Sequence, residues 1–433
     1  LQEIAQDFEY GQEQKMFQRP RGTRDFGPEE MTRRRWAESQ MRNTAIGFGF
    51  REIQLPTFEG LDLFTTKSGQ GIVDELYAFE DKGGRMMALR PEMTAQVMRF
   101  YIAEMSVQPK PLKLFYFGPC FRYENPQSGR FREFFQLGAE IIGSRTPETD
   151  AEVISLAVST IESTGLKNCR LRIGYIGVLR SMLANAGILD SKISEGLHLL
   201  DKNDEKGFSA FASEAGISEE KVAEMLSLRG IGGGEEVLDR VPSDDAKKYL
   251  QELSGMMKKI GIRGFEFDLG IVRGLDYYSG MVFEIDAPNL GAEKQVCGGG
   301  SYSLIPAFGG EEVFTTGFAL GFDRVLIALE KEEFEIQSPG LDAFIIPLGE
   351  EARESCMELV SRLRKSGFIV DFDLMRRNLS KNLKYASSAG AKTAIILGTK
   401  ELSSGTATIR DMVTGDQKEV PLDSIRDFLG SNP

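Results

Sequence analysis

The sequence predicts an α+β protein in two parts: a large domain built on an antiparallel sheet with a helical insertion, then a small α/β domain. Three observations point there. The 433 residues are too many for one ordinary domain. The run LFYFGPCFRYENPQSGRFREFFQLGAEIIG, from Leu114, alternates polar and apolar residues on both sides of the turn-rich NPQSG, as two paired strands with one buried face would. Beyond Leu341, short apolar runs alternate with helical segments, the pattern of a sheet with crossover helices.

Residues 1–15 form a polar, acidic leader unlike a signal peptide. PRGTRDFGPEEMTRRRWAESQMRNTAIGFGF reads as a turn and then a helix, with Pro28, Glu29 and Glu30 in its first turn and Gly47 and Gly49 at its end. REIQLPTFEGLDLF continues as extended chain broken at Pro56, and residues 86–142 alternate strand runs with the helix-like PEMTAQVMRFYIAEM. From about 179 to 259 the chain is helix-rich, an insertion into the first domain, which spans 16–331. EEFEIQSPG, 332–340, is a linker to the second domain, 341–433. There AFIIPLG is a strand, and Ala352, Cys356, Leu359, Val360 and Leu363 share one helix face.

No apolar run reaches membrane-span length, so a cytoplasmic location without membrane contact is expected. Four cysteines without CxxC spacing and one histidine, His198, argue against a disulfide framework, a metal centre made of protein side chains and a Ser-His-Asp triad. The net charge of −13 disfavours non-specific nucleic-acid binding. From Leu341 onward, however, basic and acidic residues balance at 13 each, which leaves room for a local basic face.

The alternation in the paired strands places Arg130, Arg132, Phe134, Gln136, Gly138 and Glu140 on one face, with Arg122 and Glu124 sharing a face of the outgoing strand. A half-exposed sheet also alternates, but a phenylalanine and a glycine within the polar array fit a ligand-bearing face better. Arginines there suit carboxylate attack on a phosphoryl group, since planar guanidiniums can stabilise the developing charge. In TTGFALGFDRVLIAL, Gly317, Ala319 and Gly321 give a flat strand face, and Arg324 falls where a helix begins. Close helix–strand packing would need the same small residues. In IVRGLDYYSGMVFEI, Arg273 lies among apolar and aromatic neighbours; an edge-strand arginine paired with Asp276 or Glu284 is the plainer alternative. Neither GxGxxG nor GxxxxGK[ST] occurs.

RGLDYYSG resembles the signature of histidyl-tRNA synthetases, and the strand pair and the 315–329 segment resemble motifs 2 and 3 of class II aminoacyl-tRNA synthetases. The resemblance implies a class II catalytic domain and a C-terminal anticodon-binding domain. It also implies activation of histidine by ATP with Mg2+, followed by transfer to tRNA(His) in a homodimer. It gives Arg122 and Arg273 the α-phosphate, Arg130 and Arg324 the outer phosphates, and Glu124 and Phe134 the adenine. LRPEMTAQ, similar to the family's LRPEGTA, places Glu92 and Thr94 at the amino group of histidine. Gln136 would bind its backbone and Glu140 and Tyr278 the imidazole, with Arg273, Tyr277 and Tyr302 also among the residues that bind histidine. Departures are GGSYSLI where the family has GGRYDGL, with Ser301 and Ser303 in place of Arg and Asp, and FDR where it has LER.

Three other readings stay open. A regulatory paralogue would typically lose the substrate arginines and the second domain, and a bare RNA-binding module would not need those arginines. A class II enzyme for another amino acid would lack RGLDYYSG. For tRNA, Gln127 and the segment from Met375 are candidates; on a helix Arg377, Lys381 and Lys384 would share a face, with Arg376 and Tyr385 beside them. A solvated amphipathic helix would look the same.

Overall fold

The computed structural model describes residues 17–66, 73–127, 129–202, 204–271, 277–336 and 340–431. Arg273 and the leader 1–15 lie outside the described residues. The chain divides into two compact units, Leu1–Ile336 and Gln337–Pro433.

The first unit is organised by a nine-stranded sheet of β1 (Arg51–Glu52), β5 (Leu112–Phe121), β6 (Glu133–Ile142), β7 (Arg170–Tyr175), β8 (Gly232–Gly233), β9 (Glu266–Asp268), β10 (Tyr278–Asp286), β11 (Gln295–Tyr302) and β12 (Thr315–Gly321). Their order is β1-β5-β6-β12-β11-β10-β7-β9-β8. The centre, from β5 to β7, is antiparallel throughout. Toward the edges β1 joins β5 and β9 joins β7 in parallel, so the sheet is mixed. Parallel neighbours need a long crossover, and the helix-rich segment supplies it between β7 and β9.

Four helices of that segment, Ile176–Asn185, Asp190–Asp201, Glu205–Glu214 and Glu219–Leu228, come before β8. The fifth, Asp244–Lys259, packs on the helix Pro147–Glu162, where the Tyr249 hydroxyl donates to the Asp150 carboxylate. Pro147–Glu162 in turn packs against β6, β10, β11 and β12 and the helix Pro28–Gly47, and Leu137, Ala139 and Ile141 are buried. A small sheet of β2 (Phe58–Gly60), β3 (Ala78–Glu80) and β4 (Met86–Leu89) lies in the same unit, ordered β2-β4-β3.

Two local expectations need correction. Residues Leu61–Thr65 form a short helix rather than extended chain, with Asp62 accepting from the Leu63 amide. The outgoing strand of the central hairpin stops at Phe121, so Arg122 and Glu124 follow it rather than sit on it. The ladder is diverted there: the Tyr123 amide bonds to the Glu75 carbonyl, and the Arg132 amide to that of Gly22.

In the second unit β13 (Ala343–Leu348), β14 (Val370–Phe372), β15 (Thr393–Gly398), β16 (Thr406–Asp411) and β17 (Gln417–Pro421) run in the order β14-β13-β15-β16-β17. The interior strand β13 is parallel to both neighbours and reads as a continuous apolar run because both faces are covered. Ala343 and Ile345 meet Cys356, Leu359, Val360 and Leu363 of the helix Arg353–Lys365 on one side. Phe344 and Ile346 meet Ala386 of the helix Leu379–Ser388 on the other.

One buried carboxylate fastens the first unit together. Asp323, in the first turn of the helix Phe322–Lys331, accepts from Arg24 at 2.6 Å, Arg34 at 2.7 Å and the Phe135 amide at 2.7 Å. It thereby joins the segment before the first helix, that helix and β6. Asp323→Ala leaves the Arg34 guanidinium buried without its counter-ion and is expected to cost roughly 3 to 5 kcal/mol. Thermal unfolding checks this, and a midpoint equal to that of the unaltered chain would contradict it.

Candidate active site

The described residues enclose a pocket over the antiparallel centre of the sheet, lined by Glu92, Thr94, Arg122, Glu124, Arg130, Phe134, Gln136, Glu140, Tyr277, Tyr278, Tyr302, Gly317, Ala319 and Arg324, among others. Every described residue expected to meet ATP or histidine is in this set.

At one end the strands fix a buried acid. Glu140 of β6 stands opposite Gly317 of β12, and Tyr116 of β5 stands opposite Gly138 of β6. Directly paired side chains compete for the same space, so each glycine leaves room for its partner. A Cβ on Gly317 would overlap the Glu140 carboxyl group, and one on Gly138 would overlap the Tyr116 ring. Glu140 is 1% exposed; Tyr116 donates to its Oε1 at 3.0 Å and Tyr302 to its Oε2 at 2.6 Å. Burial pushes the Glu140 acid up to about 8, although both hydroxyls favour its charged form. Tyr277, Tyr278 and Tyr302 pack on one another in tilted and edge-on pairs, with ring centroids 4.9 to 5.8 Å apart.

Glu92 is buried beside this cluster and accepts from the backbone amides of Thr94 and Ala95, at the start of the helix Thr94–Phe100. Burial raises its acid against those bonds. Arg90, in the same LRPEM segment, donates to the carbonyls of Leu55, Pro56 and Pro119 and pins the segment to β5. Gln136 Oε1 accepts from the Cys120 thiol at 3.4 Å.

The opposite end is cationic. Arg122 donates to the Pro91 carbonyl at 3.0 Å, and its guanidinium lies 5.4 Å from the centre of the Phe134 ring. Glu124 stands between Arg122 and Arg130 at 3.8 and 3.7 Å. Arg324, in the first turn of its helix, donates to the carbonyls of Gly129 and Gln295. Both Arg130 and Arg324 also meet Glu293, a residue the sequence reading passed over. Among the described residues no group of three or more His, Cys, Asp or Glu is gathered to hold a metal ion.

Of the serines in GGSYSLI, Ser301 proves distinct in placement from the tyrosine that follows it. Ser301 shares the helix-facing side of the sheet with Thr316; both donate to Asp150, at 2.8 and 2.7 Å, while Tyr302 faces Glu140. The substitution at 301 therefore leaves the pocket lining unchanged. Tyr116 was also missed, because its role depends on a cross-strand glycine that no local pattern marks.

In the second unit Arg377 precedes the helix on which it was expected. The Asn378 side chain caps that helix by accepting from the Lys381 amide, so it begins at Leu379. Arg377 instead bonds to Asp373 and lies 4.4 Å over the Tyr385 ring. Arg376, in a left-handed backbone conformation, pairs with Glu350 at 3.0 Å, and Lys381 and Lys384 are exposed on the helix. In the first unit Gln127 donates to Glu293 at 3.1 Å.

A sequence model of the family described as histidyl-tRNA synthetase matches residues 22–325, and one of an anticodon binding domain matches 342–432. The histidine–tRNA ligase of Archaeoglobus fulgidus is 44% identical over 414 residues, 95% of this chain and 99% of that protein. That of Methanocaldococcus jannaschii is 42% identical over 421 residues, covering 95% of this chain and 99% of its own. The apo histidyl-tRNA synthetase of S. aureus superposes with a TM-score of 0.73 at 30% identity, covering 96% of this chain and 100% of its own.

The Glu140 acid gives a pH test. Its folded value of about 8 lies above the ordinary 4.5, so over that window the folded chain keeps a proton that the unfolded chain releases. Stability from this group is therefore lost as pH rises from the lower value to the higher. The thermal midpoint of Glu140→Gln should fall less between pH 5 and pH 8 than that of the unaltered chain, and equal falls would exclude the effect.

Proposed function

The chain belongs to the histidyl-tRNA synthetase family, and from that premise we propose how its residues divide the reaction. The overall reaction is ATP-dependent joining of histidine to tRNA(His). The observation that carries the residue-level reading is the pairing of a buried Glu140–tyrosine cluster with a cluster of arginines at the two ends of one pocket.

Histidine enters with its imidazole toward Glu140 and Tyr278, flanked by Tyr277 and Tyr302. A buried polar pocket of this kind rejects side chains that leave its groups unpaired. Glu92 and Thr94 receive the amino group, and Gln136 the backbone. Adenine stacks on Phe134, with Glu124 alongside. Arg122 meets the α-phosphate, and Arg130 and Arg324 the outer phosphates. A carboxylate oxygen of histidine attacks the α-phosphorus, the bond to the bridging oxygen breaks, and pyrophosphate leaves. Arg122 and, by resemblance, Arg273 stabilise the charge that builds on the phosphoryl oxygens. A terminal tRNA hydroxyl then attacks the activated carbonyl, and AMP leaves.

Mg2+ accompanies ATP in this reading and neutralises phosphate charge. Such an ion would be held mainly by phosphate oxygens and waters and needs at most one or two carboxylates; among the described residues no group of three or more His, Cys, Asp or Glu is gathered to hold it without the nucleotide. Residues 16–331 form the catalytic domain with its insertion at about 179–259, 332–340 a linker, and 341–433 the anticodon-binding domain. Gln127, Arg376, Arg377, Lys381 and Lys384 contact tRNA. The enzyme works as a cytoplasmic homodimer. No described helix is long and apolar enough to cross a membrane.

Pyrophosphate exchange into ATP, run with each amino acid in turn, should respond to histidine alone; equal exchange with another amino acid would refute the imidazole assignment. Arg273→Ala should slow adenylate formation by about two to three orders of magnitude, the usual loss on removing one preorganised donor. An unchanged rate would remove Arg273 from the mechanism. Deleting residues 341–433 should leave histidine activation measurable and cripple charging of tRNA(His). Full charging by the shortened chain would exclude that domain as the anticodon reader.

A further inference from the structure

Glu293 ends a short 3-10 segment, Pro288–Glu293, between β10 and β11, and Gly291 interrupts that segment with φ +73°. Its carboxylate sits among three groups from two other parts of the chain. Arg130 Nε reaches Oε2 at 2.9 Å, Arg324 Nη2 reaches the same oxygen at 3.0 Å, and Gln127 Nε2 donates to Oε1 at 3.1 Å. Arg324 is otherwise tied down: Nε and Nη1 are committed to the Gly129 and Gln295 carbonyls at 3.0 and 2.8 Å. Its Nη2 edge is the part aimed at an anion, and a carboxylate is already there.

Two guanidiniums converging on one acidic oxygen form a seat for an anion with several oxygens. Under the reading that Arg130 and Arg324 hold the outer phosphates of ATP, that seat belongs to the nucleotide. We infer that Glu293 is an internal counter-anion that competes with the outer phosphates of ATP for Arg130 and Arg324. ATP binding then exchanges one anion for another. Glu293 compensates the two cations before ATP arrives and returns to them as pyrophosphate departs. It lowers the affinity for both and hastens release of the product. The exchange leaves the sheet undisturbed, because Arg130 belongs to the β5–β6 connection and Glu293 to a short irregular segment.

A residue that only positioned the arginines would act in the opposite direction, since its loss would weaken phosphate binding. Glu293→Gln keeps the size and the Gln127 contact while removing the charge. Calorimetric titration of the full chain with Mg-ATP and, separately, with inorganic pyrophosphate should show both binding roughly two- to fivefold tighter in this variant, the range for a partly exposed charge pair. The affinity for histidine should stay unchanged. Glu293→Asp, which keeps the charge but draws it back, should give a smaller gain in the same direction. Unchanged or weaker binding of both ligands in both variants would overturn the inference. Arg324→Ala separates it from the reading beneath: loss of pyrophosphate affinity there supports the shared seat. Unaltered affinity would overturn the phosphate assignment, and the inference with it.

Discussion

The Glu140 carboxyl group must lie between β6 and β12 where two side chains could not pass each other, and much of the pocket follows from that requirement. Gly317 supplies the space. Gly138, two residues back on the strand that carries Glu140, does the same for Tyr116, whose hydroxyl then reaches Glu140 from β5. Tyr302 approaches from β11. Three strands thus converge on one acid, and among the described residues no cation is bonded to it. Burial is what raises its pKa, so that it holds its proton to a higher pH. A buried acid held by hydroxyls, rather than by an arginine, presents a polar surface that can meet an imidazole without first breaking an ion pair.

The arginine end obeys a different rule. Two of the guanidiniums there are oriented by backbone carbonyls, Arg122 by that of Pro91 and Arg324 by those of Gly129 and Gln295. Side chains held this way need little reorganisation when phosphate charge develops. Asp323 connects the two ends mechanically. It neighbours Arg324 in sequence, yet it binds Arg24, Arg34 and the amide of Phe135, next to Gln136. An aspartate where the family usually has a glutamate is thus a structural anchor, integral to the wall of the pocket.

Much of this was legible in the sequence, and the failures have physical causes. Alternation placed Phe134, Gln136 and Glu140 on one face of β6, and all three line the pocket, although Phe135 from the alternate set does so as well. The same rule overran at Arg122, Glu124, Arg130 and Arg132: regular pairing ends at Phe121 and Glu133, and beyond one further bond between Arg122 and Arg132 the Tyr123 and Arg132 amides turn to the carbonyls of Glu75 and Gly22, distant in sequence. The basic face expected near Met375 lost Arg377 to a helix cap at Asn378, a local signal that was readable. Tyr116 and Glu293 gave no such signal. One is defined by the glycine across from it and the other by two arginines 163 and 31 residues away in sequence, counted to Arg130 and Arg324. The departure at Ser301 had no placement that the sequence could give; its side chain bonds to Asp150 on the helical side of the sheet.

The dependence of the Glu140 end of the pocket on one open strand position can be measured directly. In Gly317→Ala a single methyl group would occupy the space of the Glu140 carboxyl group. Calorimetric titration of that variant with histidine and then with Mg-ATP should show histidine binding lost, or weakened by at least about tenfold, with ATP binding retained. Histidine binding equal to that of the unaltered chain would show that Glu140 does not need this place, and would contradict the account.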